Sequence, residues 1–107
     1  MAFYMVQVAY TSEAWAALVK NPQNRIEAVR PAVERAGGRV HSAWFAFGKY
    51  DIVAIFEMPD NVAQAAISIA FAAGGAVKAL KTTALMTIEE GIAAMKKAGG
   101  TGYKPPG

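Results

Sequence analysis

The sequence predicts an α+β fold of the ferredoxin-like kind, with the element order βαββαβ and an extra C-terminal helix. Two observations carry this prediction. The hydrophobic period changes repeatedly along the chain between the alternation of a strand and the three-to-four spacing of a helix. Glycine pairs or helix-capping residues stand where the period changes. In this arrangement a four-stranded antiparallel sheet carries its main helices on one face.

The first half of the chain supplies a strand and two helices. Residues 3–10 are rich in aromatic and β-branched side chains, which strands prefer. Ser12 is a candidate N-cap for a short helix, and Asn21 followed by Pro22 marks the start of a second helix. The glycines at 37–38 end that second helix.

The second half supplies a hairpin, a helix, a strand and a last helix. In chain order these are strands 39–47 and 50–58, a helix capped by Asp60, strand 77–86 and a helix ending at Gly99. Thr87 and Glu90 form a capping box, in which each side chain accepts the other residue's backbone N–H. We therefore expect one domain, 1–98, followed by a Gly/Pro-rich C-terminal tail, 99–107.

The composition predicts self-association. A chain of 107 residues has the length of one domain, and 18% of its residues are charged, against roughly 25% in a typical soluble domain. Both alternating sets of residues in the middle strands are apolar, so a monomer would leave an apolar sheet face bare. Two sheets packed face to face would cover it. We expect a homo-oligomer, with a dimer favoured.

Several classes of partner are excluded by the same reasoning. A net charge of +3 without a basic cluster is too mild for a nucleic-acid footprint. The RNA-recognition module shares this strand order, but the stretch YDIVAIFE lacks its aromatic-rich motif. The longest apolar run, 65–73, is far shorter than the roughly 18 residues of a membrane span. The N-terminus lacks a signal-peptide pattern, which favours a cytoplasmic protein.

The sequence predicts neither a metal site nor a cofactor. The chain has no cysteine, and His41 is its single histidine. A metal site built from imidazole or thiolate ligands would need more of them. A lone histidine on a strand beside aromatic residues is usually a core or interface residue.

The stretch FGKYD places Asp51 directly after a turn. With Gly48 and Lys49 at the centre of a type II′ turn, glycine supplies the positive φ that the turn requires. With this turn, Trp44 on the first strand lies opposite Val53 on the second strand, and His41 lies opposite Phe56. His41 and Asp51 then lie on opposite faces, which disfavours a general-base pair between them. We expect Asp51 to accept the Trp44 indole N–H or backbone amides near the turn.

The same stretch contributes to a resemblance to a known family. The segments GKYD, IVAIFEMPD, AGGAVKALKTTAL and TIEEGIAAMKKAG resemble the GYD-domain family, which is named for a tripeptide. Here the tripeptide corresponds to Gly48, Tyr50 and Asp51, with Lys49 interposed. The resemblance covers residues 3 to about 98. It implies a ferredoxin-like fold and oligomerisation, and it carries no reaction and no catalytic residues.

Five residues are candidates for binding a small molecule. An apolar pocket with a few polar tips is the usual form of a ligand site. The side chains that could provide one are Tyr10, His41, Trp44, Tyr50 and Asp51.

Three functional classes remain open. The preferred hypothesis is a small oligomeric binding or regulatory module that holds a small, largely apolar molecule. One alternative is a cofactor-independent oxygenase or isomerase of the dimeric α+β barrel kind, in which His41 and a tyrosine act on the substrate. That alternative rests on fold analogy. The other is a structural or interaction subunit without a ligand.

Overall fold

The computed structural model describes all 107 residues and confirms the predicted architecture. The strands are β1 (Ala2–Tyr10), β2 (Arg39–Phe45), β3 (Ile52–Met58) and β4 (Val77–Leu85). The helices are α1 (Ser12–Lys20), α2 (Arg25–Arg35), α3 (Asn61–Ala73) and α4 (Ile88–Gly99). The strands form one sheet in the order β2-β3-β1-β4, and each neighbouring pair is antiparallel. The fold is α+β and ferredoxin-like, with the predicted fourth helix at its C-terminus.

Two of the predicted helix starts are wrong by one to three residues. The N-cap of α1 is Thr11, whose hydroxyl accepts the Ala14 N–H, and Ser12 is already helical. The N-cap of α2 is Asn24, not Asn21. In both places two polar residues that can cap lie close together in the sequence, and the path of the chain leaving the preceding element selects between them.

The other two helix starts are confirmed. The Asp60 carboxylate accepts the Ala63 N–H at 2.8 Å and caps α3. Thr87 and Glu90 form the capping box of α4, with hydrogen bonds of 2.9 and 3.0 Å. Each cap satisfies amides that have no partner within the helix.

The hydrophobic core lies between the sheet and helices α2 and α3. Helix α2 packs over the edge strand β2, and α3 packs over β4 and β3. The core is formed by every second residue of β1 and β3, together with Val33, Val40 and Ile67. Alternation along the two central strands therefore fixes which face the helices cover.

One polar side chain lies inside this core. Gln64 on α3 is 2% exposed, and its amide Nε2 donates to the Ser68 hydroxyl at 3.1 Å. The Ser68 hydroxyl also bonds the Thr82 hydroxyl on β4 at 2.9 Å. The Gln64 Oε1 has no partner within the chain. This short polar chain fixes α3 against β4.

The opposite face of the sheet has an apolar centre, with Gln7 and Glu57 next to it, and has no helix over it. Register places Met5 beside Ile55 and Phe3 beside Leu85, all on this open face. Val53 lies on the same face, two residues along β3 from Ile55. The open face, defined by these five side chains, is the bare surface that the sequence predicts.

Helix α4 leaves the body of the domain. The Cα radius of gyration is 17.1 Å, against about 13 Å for a compact chain of this length. Ile88, Ile92 and Met95 follow one another at helical spacing on α4 and are 78%, 46% and 73% exposed. An amphipathic helix with an uncovered apolar stripe lacks the packing that normally stabilises it. No helix of the protein has the length and apolar character needed to cross a membrane.

Replacing Gly38 by alanine is expected to destabilise the fold. A Cβ atom at this position would overlap the Met58 sulfur and the Glu57 carbonyl oxygen of β3. Because a backbone oxygen in a central strand cannot move aside, we expect Gly38→Ala to lower the free energy of unfolding by about 1–3 kcal/mol in urea denaturation. The control is Gly91→Ala on α4, where a Cβ meets no atom within 4 Å and alanine favours the helix. Equal stability of the two variants would contradict the predicted overlap.

Candidate functional site

The five candidate residues do not meet in one cavity. Tyr10 lines a cleft between α2 and α3. His41 and Trp44 line a separate groove at the outer edge of the sheet. Tyr50 and Asp51 lie in the connection between β2 and β3 and line neither cavity.

A β-bulge at His41 changes the predicted register. The expected pair Trp44–Val53 is present, but Val40, not His41, lies opposite Phe56. His41 is the extra residue of the bulge and lies on the open face with Trp44. A regular ladder would have buried the imidazole against Phe56, whereas the bulge buries the apolar Val40 there.

His41 is exposed and has two neighbours. Its Nδ1 lies 3.2 Å from the Ser42 hydroxyl, and its ring stands edge-on to Phe3 with centroids 5.8 Å apart. No carboxylate or tyrosine hydroxyl bonds to it. The structure contains no cluster of three metal-ligating side chains around this histidine or elsewhere.

The hairpin between β2 and β3 is wider than predicted. Gly48 has a positive φ of +150°, but no backbone hydrogen bond joins Phe47 to Tyr50 as a type II′ turn would require. The loop is closed instead by the Ala46 N–H, which donates to the Asp51 carbonyl at 2.8 Å. The Asp51 N–H donates to the Val8 carbonyl at 2.7 Å, so β1 holds the far side of the loop.

The Asp51 side chain ties the hairpin to β1 and α1. Its Oδ2 accepts the Tyr10 backbone N–H at 2.8 Å and the Trp15 indole N–H at 3.3 Å. The prediction that Trp44 donates its indole N–H to Asp51 is wrong, because Trp15 on α1 donates instead. Trp15 also packs edge-on against the Tyr10 ring, with centroids 5.4 Å apart. Asp51 therefore fixes the backbone of Tyr10, the candidate that reaches the cleft.

The cleft between α2 and α3 has a volume of about 320 Å³. It exists because α2 lies over one edge of the sheet and α3 over the other, and because small alanine side chains face the gap. The floor is formed by Val6, Val8, Ile52, Ala54 and Phe56, and the walls by Arg25, Ile26, Ala28, Val29, Ala32, Ala70, Phe71, Gly74, Ala76 and Val77. With Tyr10, fourteen of these sixteen residues are hydrophobic.

Tyr10 and Arg25 bring polar groups to this apolar cleft. Burial raises the pKa of the Tyr10 phenol above its ordinary value, the nearby Arg25 charge opposes that rise, and Asp51 adds to it. The phenol therefore stays protonated at neutral pH and can donate a hydrogen bond. Arg25 is the single charged residue that lines the cleft.

Arg25 was not among the residues singled out from the sequence. Arg25, Ala28, Val29 and Ala32 are spaced as i, i+3, i+4 and i+7 and so share one helical face. All four line the cleft. A basic residue at the end of an apolar helical stripe was the signal that could have identified it.

The outer groove is larger and less apolar. Its volume is about 550 Å³, and it is lined by residues 23–27, Arg30, 40–45 and Ile52. Fewer than half of its lining residues are hydrophobic, and Trp44 and Phe45 are each 59% exposed. Glu27 and Arg30 form an ion pair there at 3.0 Å. This surface is a shallow, mixed edge of the sheet.

Removing the Asp51 carboxylate is expected to destabilise the fold. Asp51→Ala leaves the Tyr10 amide and the Trp15 indole without their acceptor, which we expect to lower the free energy of unfolding by about 1–3 kcal/mol. Urea denaturation followed by tryptophan fluorescence measures this change. Asp51→Asn is the matched control, because its amide oxygen can still accept and the loss should be smaller. Unchanged stability in Asp51→Ala would show that the two hydrogen bonds contribute nothing.

Comparison with known proteins identifies a family and solved structures of similar fold. The crystal structure of FFRP-DM1 aligns with a TM-score of 0.50 at 13% sequence identity, over 80% of this chain and 100% of that chain. At this identity the likeness is one of fold. No curated protein matches the sequence. The GYD domain matches residues 4–95, which is most of the chain and includes Tyr10, the hairpin and the cleft-lining residues. This chain belongs to the GYD-domain family.

Proposed function

We propose that this chain is a small homo-oligomeric binding or regulatory module that holds a small, largely apolar molecule between α2 and α3. The observation that carries the proposal is the cleft itself, with about 320 Å³ of space and fourteen hydrophobic residues among the sixteen that line it. Ligand pockets in proteins commonly begin at about 300 Å³ and are mostly apolar, with a few polar groups that orient the ligand.

The position of the cleft supports a binding role. Its floor is the centre of the sheet, where Val6, Ala54 and Phe56 are at most 2% exposed. Its walls are two separate helices, so a ligand in the gap would contact both and the strands beneath them. A molecule that fills this space replaces missing side-chain contacts in the core and thereby stabilises the fold.

The outer groove is a weaker candidate for an apolar molecule. A ligand there would contact Arg30 and Glu27, which already pair with each other, and exposed faces of Trp44 and Phe45. Such a site buries less of an apolar ligand than a gap between two helices does.

The open face supports the homo-oligomeric part of the proposal. Met5 and Ile55 occupy its centre on the two middle strands, and Ile88, Ile92 and Met95 on α4 are also exposed. A stable interface buries about 800 Å² on each partner and is most apolar at its centre. A second copy of the chain offers an identical apolar face and a second α4, so two copies can cover each other.

A charge at the centre of the open face is expected to disrupt the oligomer. In Ile55→Asp the carboxylate would be buried without a partner between two sheets, and we expect the wild-type oligomer to become a monomer in native mass spectrometry. Val19→Asp is the control, because Val19 is 77% exposed on α1 and away from the open face. A wild-type monomer, or an intact Ile55→Asp oligomer, would contradict the face-to-face arrangement.

Narrowing the cleft is expected to remove its occupant. The full chain, purified gently from cells that make it, should carry an extra small-molecule mass in native mass spectrometry. Ala70→Leu places a larger side chain in the wall of the cleft and should lose that mass. Ala65→Leu on the same helix is the matched control, because Ala65 is exposed and does not line the cleft. A retained mass in Ala70→Leu, or no mass in any variant, would count against a binding role for the cleft.

A further inference from the structure

The charge balance at the mouth of the cleft points to the kind of molecule that fits there. Arg25 is the first residue of α2 and the single charged residue of the cleft lining. Its one hydrogen bond goes to the side-chain oxygen of Gln23 at 3.2 Å. Neither of the two ion pairs of the protein includes Arg25. Arg25 lines both the cleft and the outer groove, and its guanidinium has no anionic partner.

The carboxylates near Arg25 are engaged elsewhere. Glu27, in the same first turn of α2, accepts two hydrogen bonds from Arg30 at 3.0 and 3.3 Å. Asp51 accepts the Tyr10 amide and the Trp15 indole. Neither carboxylate bonds Arg25, and an arginine beside an apolar surface binds a carboxylate more favourably than a neutral group.

Tyr10 provides a second donor at the same place. Its ring lines the cleft, and its hydroxyl makes no hydrogen bond within the chain, in contrast to Tyr4, whose hydroxyl bonds the Asn61 side chain. The Arg25 charge acts on this phenol, so the two groups lie within electrostatic reach of each other. A guanidinium and a protonated phenol together can donate to the two oxygens of one carboxylate.

We propose that the cleft binds a medium-chain aliphatic monocarboxylic acid, whose carboxylate is held by Arg25 and the Tyr10 hydroxyl while its hydrocarbon chain lies between α2 and α3. This proposal rests on the proposed function of the cleft and names its ligand class. The volume of about 320 Å³ lies at the small end of the range for ligand pockets, which suits a molecule of the size of octanoate.

The single charge of the cleft lining indicates that the ligand carries one acidic group. One uncompensated guanidinium lies at one end of the cleft, and the remaining lining residues offer hydrocarbon surface. A second carboxylate on the ligand would be buried against that surface without a partner, which costs several kcal/mol. An acid with a single head group and an apolar tail is the chemistry that matches the site.

The test compares octanoate with octan-1-ol, which has the same chain length and no charge, by isothermal titration calorimetry on the full chain. We expect octanoate to bind the wild type more tightly than octanol does. Arg25→Gln should weaken octanoate binding at least tenfold, since a hydrogen bond to a charged group carries about that much affinity or more, and should weaken octanol binding much less, because the alcohol carries no charge. Arg35→Gln removes the same charge from the far end of α2 and should behave as the wild type.

Two further variants test separately how the head group and the hydrocarbon tail of the ligand contribute to binding. Tyr10→Phe keeps the ring and removes only the hydroxyl, so it should weaken octanoate binding more than octanol binding, because a hydrogen bond to a carboxylate is stronger than one to an alcohol. Ala70→Leu narrows the cleft and should weaken the binding of both molecules. Circular dichroism of each variant confirms that it is folded before binding is measured.

The outcomes distinguish this inference from the proposed function. Equal binding of octanoate and octanol, unaffected by Arg25→Gln but weakened by Ala70→Leu, would overturn the carboxylate assignment and leave the cleft as an apolar binding site. Binding of octanoate that Ala70→Leu does not change would place the molecule elsewhere and overturn the inference. If octanoate does not bind the wild type, the inference is wrong, and the mass carried by the purified chain then decides separately whether the cleft binds another molecule.

Discussion

The structure depends on a sheet that is apolar on both faces but carries helices on only one. The core forms where α2 and α3 cover alternate residues of β1 and β3. The other alternate residues, including Met5, Val53 and Ile55, remain on the open face. Burial of apolar area is the main favourable term in folding and in association, so the same driving force that forms the core also favours a partner for the open face.

The placement of the two covering helices produces the cleft. Because α2 lies over β2, and α3 lies over β4 and part of β3, a gap remains between the two helices. Larger side chains would close such a gap, but Ala28, Ala32 and Ala70 face it. Protein interiors are normally packed as densely as organic crystals, and an apolar space of this size departs from that rule.

The hairpin contributes to the cleft through its connection to β1. Asp51 accepts the Tyr10 amide, and Tyr10 in turn presents its ring and hydroxyl to the cleft beside Arg25. Asp51, the last residue of the GYD signature, therefore fixes the backbone of Tyr10 but does not itself line the cleft. His41 lies on the open face and contacts Ser42 and Phe3. It lines the outer groove, whereas Tyr10 lines the cleft, so these two residues do not face a common cavity as the enzyme alternative would require.

The sequence by itself determined the elements of the fold. Alternation of apolar residues indicated the strands, and the caps at Asp60 and Thr87 indicated the starts of two helices. Apolar residues at both odd and even positions of the middle strands indicated the bare face. These signals are local or repeat along one element, so they can be read from neighbouring positions in the chain. The family resemblance rested on the same segments.

Only the tertiary structure decided how the elements meet. The bulge at His41 arises because the sheet buries Val40 against Phe56, and Trp15 replaces Trp44 at Asp51 because α1 folds back against the end of β1. The cleft, which has Arg25 and Tyr10 among its lining residues, requires two helices placed over different strands of one sheet. Such contacts join residues that are distant in sequence, and the three-dimensional packing of the elements sets their distances.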